Sequence, residues 1–240
     1  ALLCCASILP LTLTTARAPE TPSAPRLRPM LAITRSPLAV AGVMVAGLNS
    51  AAFRMVGPIY GQEVGLRPDQ IGIFLAAFVA GGALAQVPSG WLADKYDRRW
   101  VLIWLSVAAI ISSGFTALSA TGGTTLVMLG AAVFGFTTFP IFSVASAHAH
   151  DFATSDERVE LSAALMFFYA VGAIASPLGA SKLMEAFGPM ALFVLMGLAH
   201  AVLVIFGLNR MRARATPKKR TPYVYAPRTS FTIGRLLRRH

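Results

Sequence analysis

Charged residues are scarce in this sequence. Only 13% of its 240 residues are Asp, Glu, Lys or Arg, whereas a soluble globular domain carries about 25%. Hydrophobic residues make up 55% of the chain and occur in long blocks without the alternation of a half-buried strand. This composition excludes a water-soluble domain with an oversized core and favours an integral membrane protein.

Cysteine is also scarce. The only two, Cys4 and Cys5, are adjacent, and neighbouring residues do not form an ordinary structural disulfide. The cysteines therefore indicate no compartment. The sequence also lacks a G-x-x-x-x-G-K-[ST] loop, so nothing in it binds ATP as a P-loop pump does. No cofactor is predicted.

Six apolar blocks, each long enough to cross a membrane, fill most of the chain. A hydrocarbon layer about 30 Å thick requires roughly 20 helical residues, and lipid leaves backbone polar groups to be satisfied within each segment. An all-α integral membrane bundle of six transmembrane helices is predicted, covering residues 37–58, 70–92, 100–120, 124–147, 161–183 and 189–208, that is 37–208 in all. Pro58 is expected to end the first helix, and Pro140 and Pro177 to interrupt the fourth and fifth.

Two segments of different composition precede this bundle. Residues 15–36 are rich in proline and basic side chains without an apolar period, which predicts an interdomain linker. Residues 1–14 are interpreted as the tail of a preceding transmembrane helix, so the sequence is expected to be a fragment. A signal peptide over 1–18 is the alternative, with an A-x-A site at Ala16–Ala18, although it lacks a basic start.

The basic residues are distributed unevenly between the two ends of the predicted helices. The linker, the loops after the second and fourth helices, and a tail at 209–240 hold 18 of the 21 lysines and arginines. Only Arg67 and Lys182 lie on the other side. The positive-inside rule places the linker and tail in the cytoplasm, with lipid of the cell membrane around the helices. Because these bases lie in loops and not along one face, the net charge of +11 does not predict a nucleic-acid partner.

Aromatic residues fit the same orientation. Trp91, Tyr96 and Trp100 flank the loop after the second helix, and Tyr60 follows the first helix. Amphipathic rings favour the headgroup layer, so these four are predicted to be membrane anchors and not ligand contacts.

The loop between the second and third helices contains the most specific motif, GWLADKYDRR at residues 90–99. A small residue at a helix end lets a neighbouring backbone approach, and an acid followed by bases can form ion pairs at the water boundary. The order resembles the major facilitator signature G-x-L-A-D-[RK]-x-G-R-[RK], except that Asp97 replaces the usual glycine. The chain is similar to the YcaD-type bacterial branch of that superfamily, with weaker support from the stretches at 148–151 and 222–230.

This resemblance implies two six-helix bundles around a central substrate path. The chain is then the C-terminal half of a major facilitator fold, the N-terminal six-helix half is a missing partner, and a small molecule is the substrate. The first three helices are expected to be related to the last three as inverted repeats.

The resemblance also implies a conformational latch. By analogy, Asp94 and Arg98 make contacts that favour one of the two alternating-access states. The acid that pairs with Arg98 is expected at the end of the fourth helix, where Asp151 lies, and Asp94 is expected to face a helix of the other half. The latch motif comprises Gly90, Asp94, Lys95, Arg98, Arg99 and Asp151. The alternative is that these are solvated loop charges of little energetic value.

Polar residues inside the apolar blocks indicate a candidate transport path. Arg54 is the only basic residue well within a block, where a charge is costly and therefore suggests function. It either binds an anionic substrate or a carboxylate of the other half, or it snorkels to the outer interface one turn before Pro58. Asn49 and Gln86 either bond between helices or face the path. His200 is interpreted as a packing residue.

Together these features predict a secondary transporter that moves a small solute by alternating access, and two alternatives stay open. One is a membrane-embedded enzyme with a metal at His148, His150 and Asp151, although side chains two residues apart on a helix point to different faces. The other is a non-transporting membrane adaptor whose basic tail contacts anionic lipid or a partner.

Overall fold

A computed structural model of the protein describes residues 26–213, and these are almost wholly α-helical. The helices are α1 (Pro29–Arg35), α2 (Pro37–Glu63), α3 (Pro68–Lys95), α4 (Arg98–Ser119), α5 (Thr124–Thr138), α6 (Pro140–His150), α7 (Arg158–Phe187) and α8 (Ala191–Ala213). Counting α5 and α6 as one, six spans within this range are long and apolar enough to cross a membrane. The predicted six-span all-α bundle is confirmed. The segment 1–14, the first half of the linker (15–25) and the tail beyond 213 lie outside the described residues.

The spans differ from the prediction at their prolines. Pro58 does not end α2 and Pro177 does not interrupt α7, so both of these expectations are wrong; only Pro140 marks a break, between α5 and α6. A spanning helix tolerates proline because neighbouring groups satisfy the freed carbonyl. Pro88 likewise lies inside α3. Thus α2, α3, α5–α6 and α7 each contain or adjoin a proline, whereas α4 and α8 contain none.

Three pairs of spans make the main contacts, namely α2 with α7, α3 with α5 and α4 with α8. The first pair crosses at glycines. A Cβ atom on Gly47 would overlap the carbonyl oxygen of Tyr169, and one on Gly172 would overlap the carbonyl oxygen of Met44. The two backbones are therefore in direct contact, an arrangement that favours helix association in lipid through van der Waals packing.

The α3–α5 crossing is built in the same way. A Cβ atom on Gly81 would overlap the carbonyl oxygen of Ala132, and one on Gly135 would overlap that of Phe78. If α2, α3 and α4 form one repeat and α5–α6, α7 and α8 form the other, the α2–α7 crossing corresponds to the α3–α5 crossing. The chain runs in opposite directions in the two repeats. This is the relation that inverted three-helix repeats require.

Two buried hydrogen bonds follow the same relation. Asn49 Nδ2 lies 2.5 Å from His200 Nε2, and Thr137 Oγ1 lies 2.9 Å from Ser112 Oγ. Thr137 follows Asn49 by the same number of residues as His200 follows Ser112. Each bond therefore joins the first helix of one repeat to the third helix of the other.

Aromatic rings fill the part of the bundle farthest from the α3–α4 loop. The fully buried rings are those of Phe53, Tyr60, Phe74, Phe78, Phe134 and Phe193. The Tyr60 ring centroid lies 4.9 Å from that of Phe193, and its hydroxyl donates to the Thr116 carbonyl at 3.3 Å. The predicted headgroup position of Tyr60 is wrong, because α2 continues beyond it and carries the ring inward. The side chains of Trp91, Tyr96 and Trp100 are exposed.

Helix α1 is a feature that the linker composition does not indicate. Its Ala32 is fully buried and it packs against α7. Arg28 Nη1 lies 3.0 Å from Glu160 Oε2, and Arg35 Nη2 lies 2.5 Å from Glu157 Oε1. Because Arg28 and Arg35 are about two helical turns apart, both reach the first turn of α7 and fix α1 at two points.

We predict that α1 stays docked on α7 between pH 8 and pH 5. The hydrogen bond from Arg35 lowers the pKa of Glu157 from 4.5 to about 2. Because the folded-state pKa is the lower one, the pair stabilises docking above pH 4.5 and is lost as the pH falls towards 2. A pair of spin labels on α1 and α7 should report one constant distance across the range.

The substitution Glu157→Gln should broaden this distance distribution at neutral pH. The neighbouring exposed acid provides a matched control, since Asp156→Asn should leave the distribution unchanged. A distance that increases between pH 8 and pH 5 would contradict the prediction.

We also predict that Gly81→Ala destabilises the bundle. The added methyl group would overlap the Ala132 carbonyl oxygen, so α3 and α5 must separate, at a cost of about 1–3 kcal/mol. Thermal unfolding in detergent, followed by tryptophan fluorescence, should show a midpoint several degrees lower. Gly114→Ala is the control, because nothing lies within 4 Å of its Cβ position. Equal midpoints for the two variants would show that the crossing is not a close contact.

Candidate functional site

A pocket with polar walls lies between α2, α3, α5–α6 and α7. Its volume is about 360 Å³. The polar side chains that line it are those of Asn49, Ser50, Arg54, Gln86, Thr138 and Ser143. The structure thus brings the three candidate path residues, Asn49, Arg54 and Gln86, together around one cavity.

The α2 wall of this pocket follows from helical spacing. Ala46, Ser50 and Arg54 are four residues apart and therefore share one face, and Asn49 lies beside them. The rings of Phe78, Phe139, Phe142 and Tyr169 form apolar parts of the wall. The pocket consequently offers hydrogen-bonding groups and aromatic surface to the same ligand, which is typical of small-molecule sites.

A residue of α8, His200, contacts the side chain of Asn49. Asn49 is 2% exposed and His200 is fully buried, with Asn49 Nδ2 2.5 Å from His200 Nε2. Among the residues that the structure describes, the Asn49 Oδ1 and the His200 Nδ1 have no hydrogen-bond partner. His200 is thus buried as the packing interpretation requires, but it also positions a pocket residue. Sequence spacing gave no signal for that contact between distant helices.

Arg54 lies deeper than the sequence suggests. Since α2 continues through Pro58 to Glu63, Arg54 is about 13 Å from the end of the helix at 1.5 Å per residue. Its side chain is exposed and lines the pocket. Within residues 26–213, no acidic side chain forms an ion pair with it. The expectation that Arg54 lies one turn from the helix end is therefore wrong.

The second part of the site lies at the α3–α4 loop. Arg98 Nη1 forms an ion pair with Asp151 Oδ1 and donates to the Ala147 carbonyl at 3.3 Å. Arg98 Nη2 lies 3.5 Å from Asp94 Oδ1. The guanidinium therefore bridges the end of α3 and the end of α6. All three charged side chains are partly shielded from solvent, with exposures of 22% for Arg98, 38% for Asp94 and 19% for Asp151.

The other bases of the motif do not join this cluster. Lys95 Nζ lies 4.7 Å from the Trp91 ring centroid and 5.6 Å from that of Tyr96, distances typical of cation–π contacts. Arg99 Nη2 lies 3.1 Å from Asp97 Oδ2. Lys95 thus contacts exposed rings beside the loop, and Arg99 contacts the N-cap residue of α4.

Asp97, which replaces the usual glycine of the signature, caps α4. Its carboxylate accepts the backbone N–H of Arg99 at 3.0 Å, as an N-cap residue does. Its φ of −63° is an ordinary value for an L-residue, so this position does not require glycine. The departure from the signature thus leaves the helix start intact.

A second, smaller pocket connects the two parts of the site. Its volume is about 180 Å³, and it lies between α3 and α6. Gln86 and Ser143 line both pockets, while Gly90, Asp94 and Arg98 line only the second. A line of cavities therefore runs from the polar pocket to the loop motif. This line of cavities requires polar residues of separate helices to lie next to one another, and the sequence alone does not reveal that arrangement.

The His-Ala-His-Asp stretch does not converge on one point. His148 packs its ring against Phe152 at 5.2 Å, and His150 Nε2 lies 3.2 Å from Ser162 Oγ, while Asp151 pairs with Arg98. Among residues 26–213, no three His, Cys, Asp or Glu side chains are grouped as metal ligands.

The chain is similar to known membrane transporters along most of its length. The family model described as Major Facilitator Superfamily matches residues 39–240. The MFS-type transporter YcaD of Escherichia coli O7:K1 (strain IAI39 / ExPEC) is 31% identical over 215 residues, which cover 89% of this chain and 54% of the relative. An MFS-type transporter of Yersinia pestis (strain Pestoides F) is 30% identical over 196 residues, covering 81% of this chain and 48% of the relative. The chain thus spans about half the length of these curated relatives.

Solved structures share the fold. The POT family transporter PepTSo superposes with a TM-score of 0.63 at 16% identity, covering 84% of this chain and 41% of that one. An auto-inhibited POT family peptide transporter gives a TM-score of 0.62 at 15% identity. The similarity that the loop motif predicted is confirmed by the family model and the curated relatives, and the chain belongs to the Major Facilitator Superfamily, in its YcaD-like bacterial branch.

Proposed function

We propose that this chain is one six-helix bundle of a secondary transporter, and that the pocket is its side of the substrate path. The observation that carries the proposal is the meeting of Asn49, Arg54 and Gln86, from two spans, at one cavity within the bundle. In this proposal a second six-helix bundle faces the pocket, and the solute binds between the two. Alternating access then exposes the solute to one side of the membrane at a time.

The smaller pocket supports a route from the solute site to the motif end of the bundle. Gln86 and Ser143 belong to both cavities, so a solute that leaves the larger pocket along α3 and α6 meets the Arg98 cluster next. The ion pairs of Arg98 therefore lie where a barrier on that route is needed.

The Arg98 cluster is proposed as a latch that stabilises the state closed on this side. Asp94 is the most exposed member of the cluster, and nothing lies within 4 Å of a Cβ position on Gly90. Both residues are therefore accessible to a helix of the second bundle, which matches the part that the family resemblance gives them. Opening this side would break the contacts of Arg98 with Asp151 and Asp94.

The motif end is proposed to face the cytoplasm from a cell membrane. The α1 segment, the α3–α4 loop, the α6–α7 loop and the end of α8 lie at the same end of the bundle, since Ser36, Arg99, His148 and Arg210 line one small cleft. These segments hold most of the basic residues, and such an excess is typical of the cytoplasmic side.

The two alternatives have less support. The curated relatives are named as transporters, so a membrane-embedded enzyme is not retained. A non-transporting adaptor needs no cavity lined by polar side chains within the membrane, and the pocket therefore favours a transporter. The solute is a small molecule, and lipid surrounds the spans.

We predict that the charge swap of the latch restores what each single change disrupts. In the full protein that carries this chain, with Cys4 and Cys5 changed to Ser, a cysteine at Ser143 reports access to the path. Arg98→Glu or Asp151→Arg alone should raise its labelling rate by a membrane-impermeant maleimide several-fold from the cytoplasmic side, because the closed state loses its ion pair. The double variant should return the rate towards that of the parent.

The ion pair between Arg67 and Asp69, 2.9 Å apart and exposed at the other end of α3, is the matched control. Its swap variants should label at the parent rate throughout. A double latch variant that labels as fast as the single variants would argue against the Arg98–Asp151 latch.

A separate labelling experiment tests the orientation. In the same cysteine-free background, Asp156→Cys should react with an impermeant maleimide only after the cells are permeabilised, whereas Glu63→Cys should react in intact cells. Both positions are accessible outside the bundle, so reactivity depends on the side of the membrane. The reverse pattern would overturn the proposed cytoplasmic location of the motif.

A further inference from the structure

The pocket combines one permanent positive charge with an absence of negative charge. Arg54 is the only charged residue among those that line it, and within residues 26–213 it forms no ion pair. An arginine does not lose its proton at any physiological pH. Unlike a buried lysine or histidine, Arg54 therefore cannot lower its cost in the membrane by becoming neutral, and only an anion compensates it fully.

The depth of Arg54 strengthens this requirement. The nearest acid on its own helix is Glu63, about 13 Å away along the axis, at the C-terminal residue of α2. The face that Arg54 occupies is the pocket wall, which it shares with Ser50. No acidic residue lines the pocket, so a ligand bound inside it meets the guanidinium and no carboxylate of the described chain.

A second feature of the pocket also points to a ligand. Asn49 lines the cavity, is 2% exposed, and has a side-chain oxygen without a partner among the described residues. His200 holds the other end of this amide, so the unpaired end stays in place. Leaving such a group buried and unpaired is costly, and because an amide oxygen only accepts hydrogen bonds, an N–H or O–H group of a ligand would satisfy it.

The remaining wall indicates what the rest of the ligand is. Four aromatic rings, those of Phe78, Phe139, Phe142 and Tyr169, complete the cavity. Its volume of about 360 Å³ lies at the lower end of the range for sites that bind metabolites and drugs. An inorganic anion has no apolar part to pack against this wall.

We propose that the solute is a small organic anion, with a carboxylate or similar oxyanion bound by Arg54 and an apolar or aromatic body against the pocket rings. This inference rests on the proposed transport function and names its substrate class. The planar guanidinium donates two parallel hydrogen bonds to such a group. The same chemistry occurs in a lipid phosphate, so the experiment separates the two sources.

Binding of four compounds that share a phenyl ring and differ in their polar group tests the proposal directly. The protein is placed in phosphatidylcholine nanodiscs, and radiolabelled benzoate is measured by equilibrium dialysis against empty nanodiscs. Saturable benzoate binding is expected, with competition by benzenesulfonate but not by benzamide or benzylamine. Arg54→Gln should weaken binding by at least about 10-fold, and Arg54→Lys should weaken it less, because lysine keeps the charge but loses the planar fork.

Lys182→Gln provides the matched control, because Lys182 is an exposed cation of α7 outside the pocket. It should bind benzoate as the parent does. Equal binding by the Arg54→Gln variant, effective competition by benzamide, or no saturable binding of benzoate would each overturn the anionic assignment. Loss of benzoate binding in nanodiscs that contain phosphatidylglycerol would assign Arg54 to a lipid phosphate and overturn a soluble solute.

These outcomes are distinct from those of the labelling experiments, which use no ligand. If the latch variants label as predicted but the protein binds benzamide as well as benzoate, the transporter proposal is retained and the anion proposal is rejected. Failure of the charge swap together with selective benzoate binding would reject the latch and retain the anion site.

Discussion

Direct contact between helix backbones at two glycine crossings determines where the pocket lies. Gly47 with Gly172 brings α2 against α7, and Gly81 with Gly135 brings α3 against α5. The residues that frame the cavity lie next to these contacts, as Tyr169 illustrates, because its carbonyl touches Gly47 while its side chain lines the pocket. Larger residues at the crossings would separate the helices in each pair. The proposed path for the solute is therefore a space between two tightly joined helix pairs.

Charges in this bundle have two very different environments. At the loop end, Arg98 contacts Asp151 and Asp94, and Arg35 contacts Glu157. Water and several partners are near there, so each pair contributes modestly and can break without a large penalty. Such pairs suit a barrier that must open. Inside the membrane a charge without a partner is far more costly, and a binding site is a sound reason to retain one.

The sequence predicted the number and type of the spans because length and hydropathy depend on local composition alone. The helix end predicted at Pro58 and the interruption predicted at Pro177 were wrong, because a membrane-spanning helix tolerates prolines that would end a helix in water. The proximity of Arg98 to Asp151 was expected only through family resemblance, since no spacing rule joins them. The Asn49–His200 contact and the convergence of Asn49, Arg54 and Gln86 depend on how distant helices cross. Local pattern carries no information about how distant helices cross.

The distribution of prolines has a mechanical consequence. Each span that lines the pocket has a proline, and the two spans behind it, α4 and α8, have none. At such a residue one rung of the backbone ladder is already missing, so bending there sacrifices no further rung. The walls of the pocket are therefore pliant at fixed points, while α4 and α8 contain no such point. Deformation during a transport cycle would concentrate in the four pliant walls, with α4 and α8 acting as the frame against which they flex.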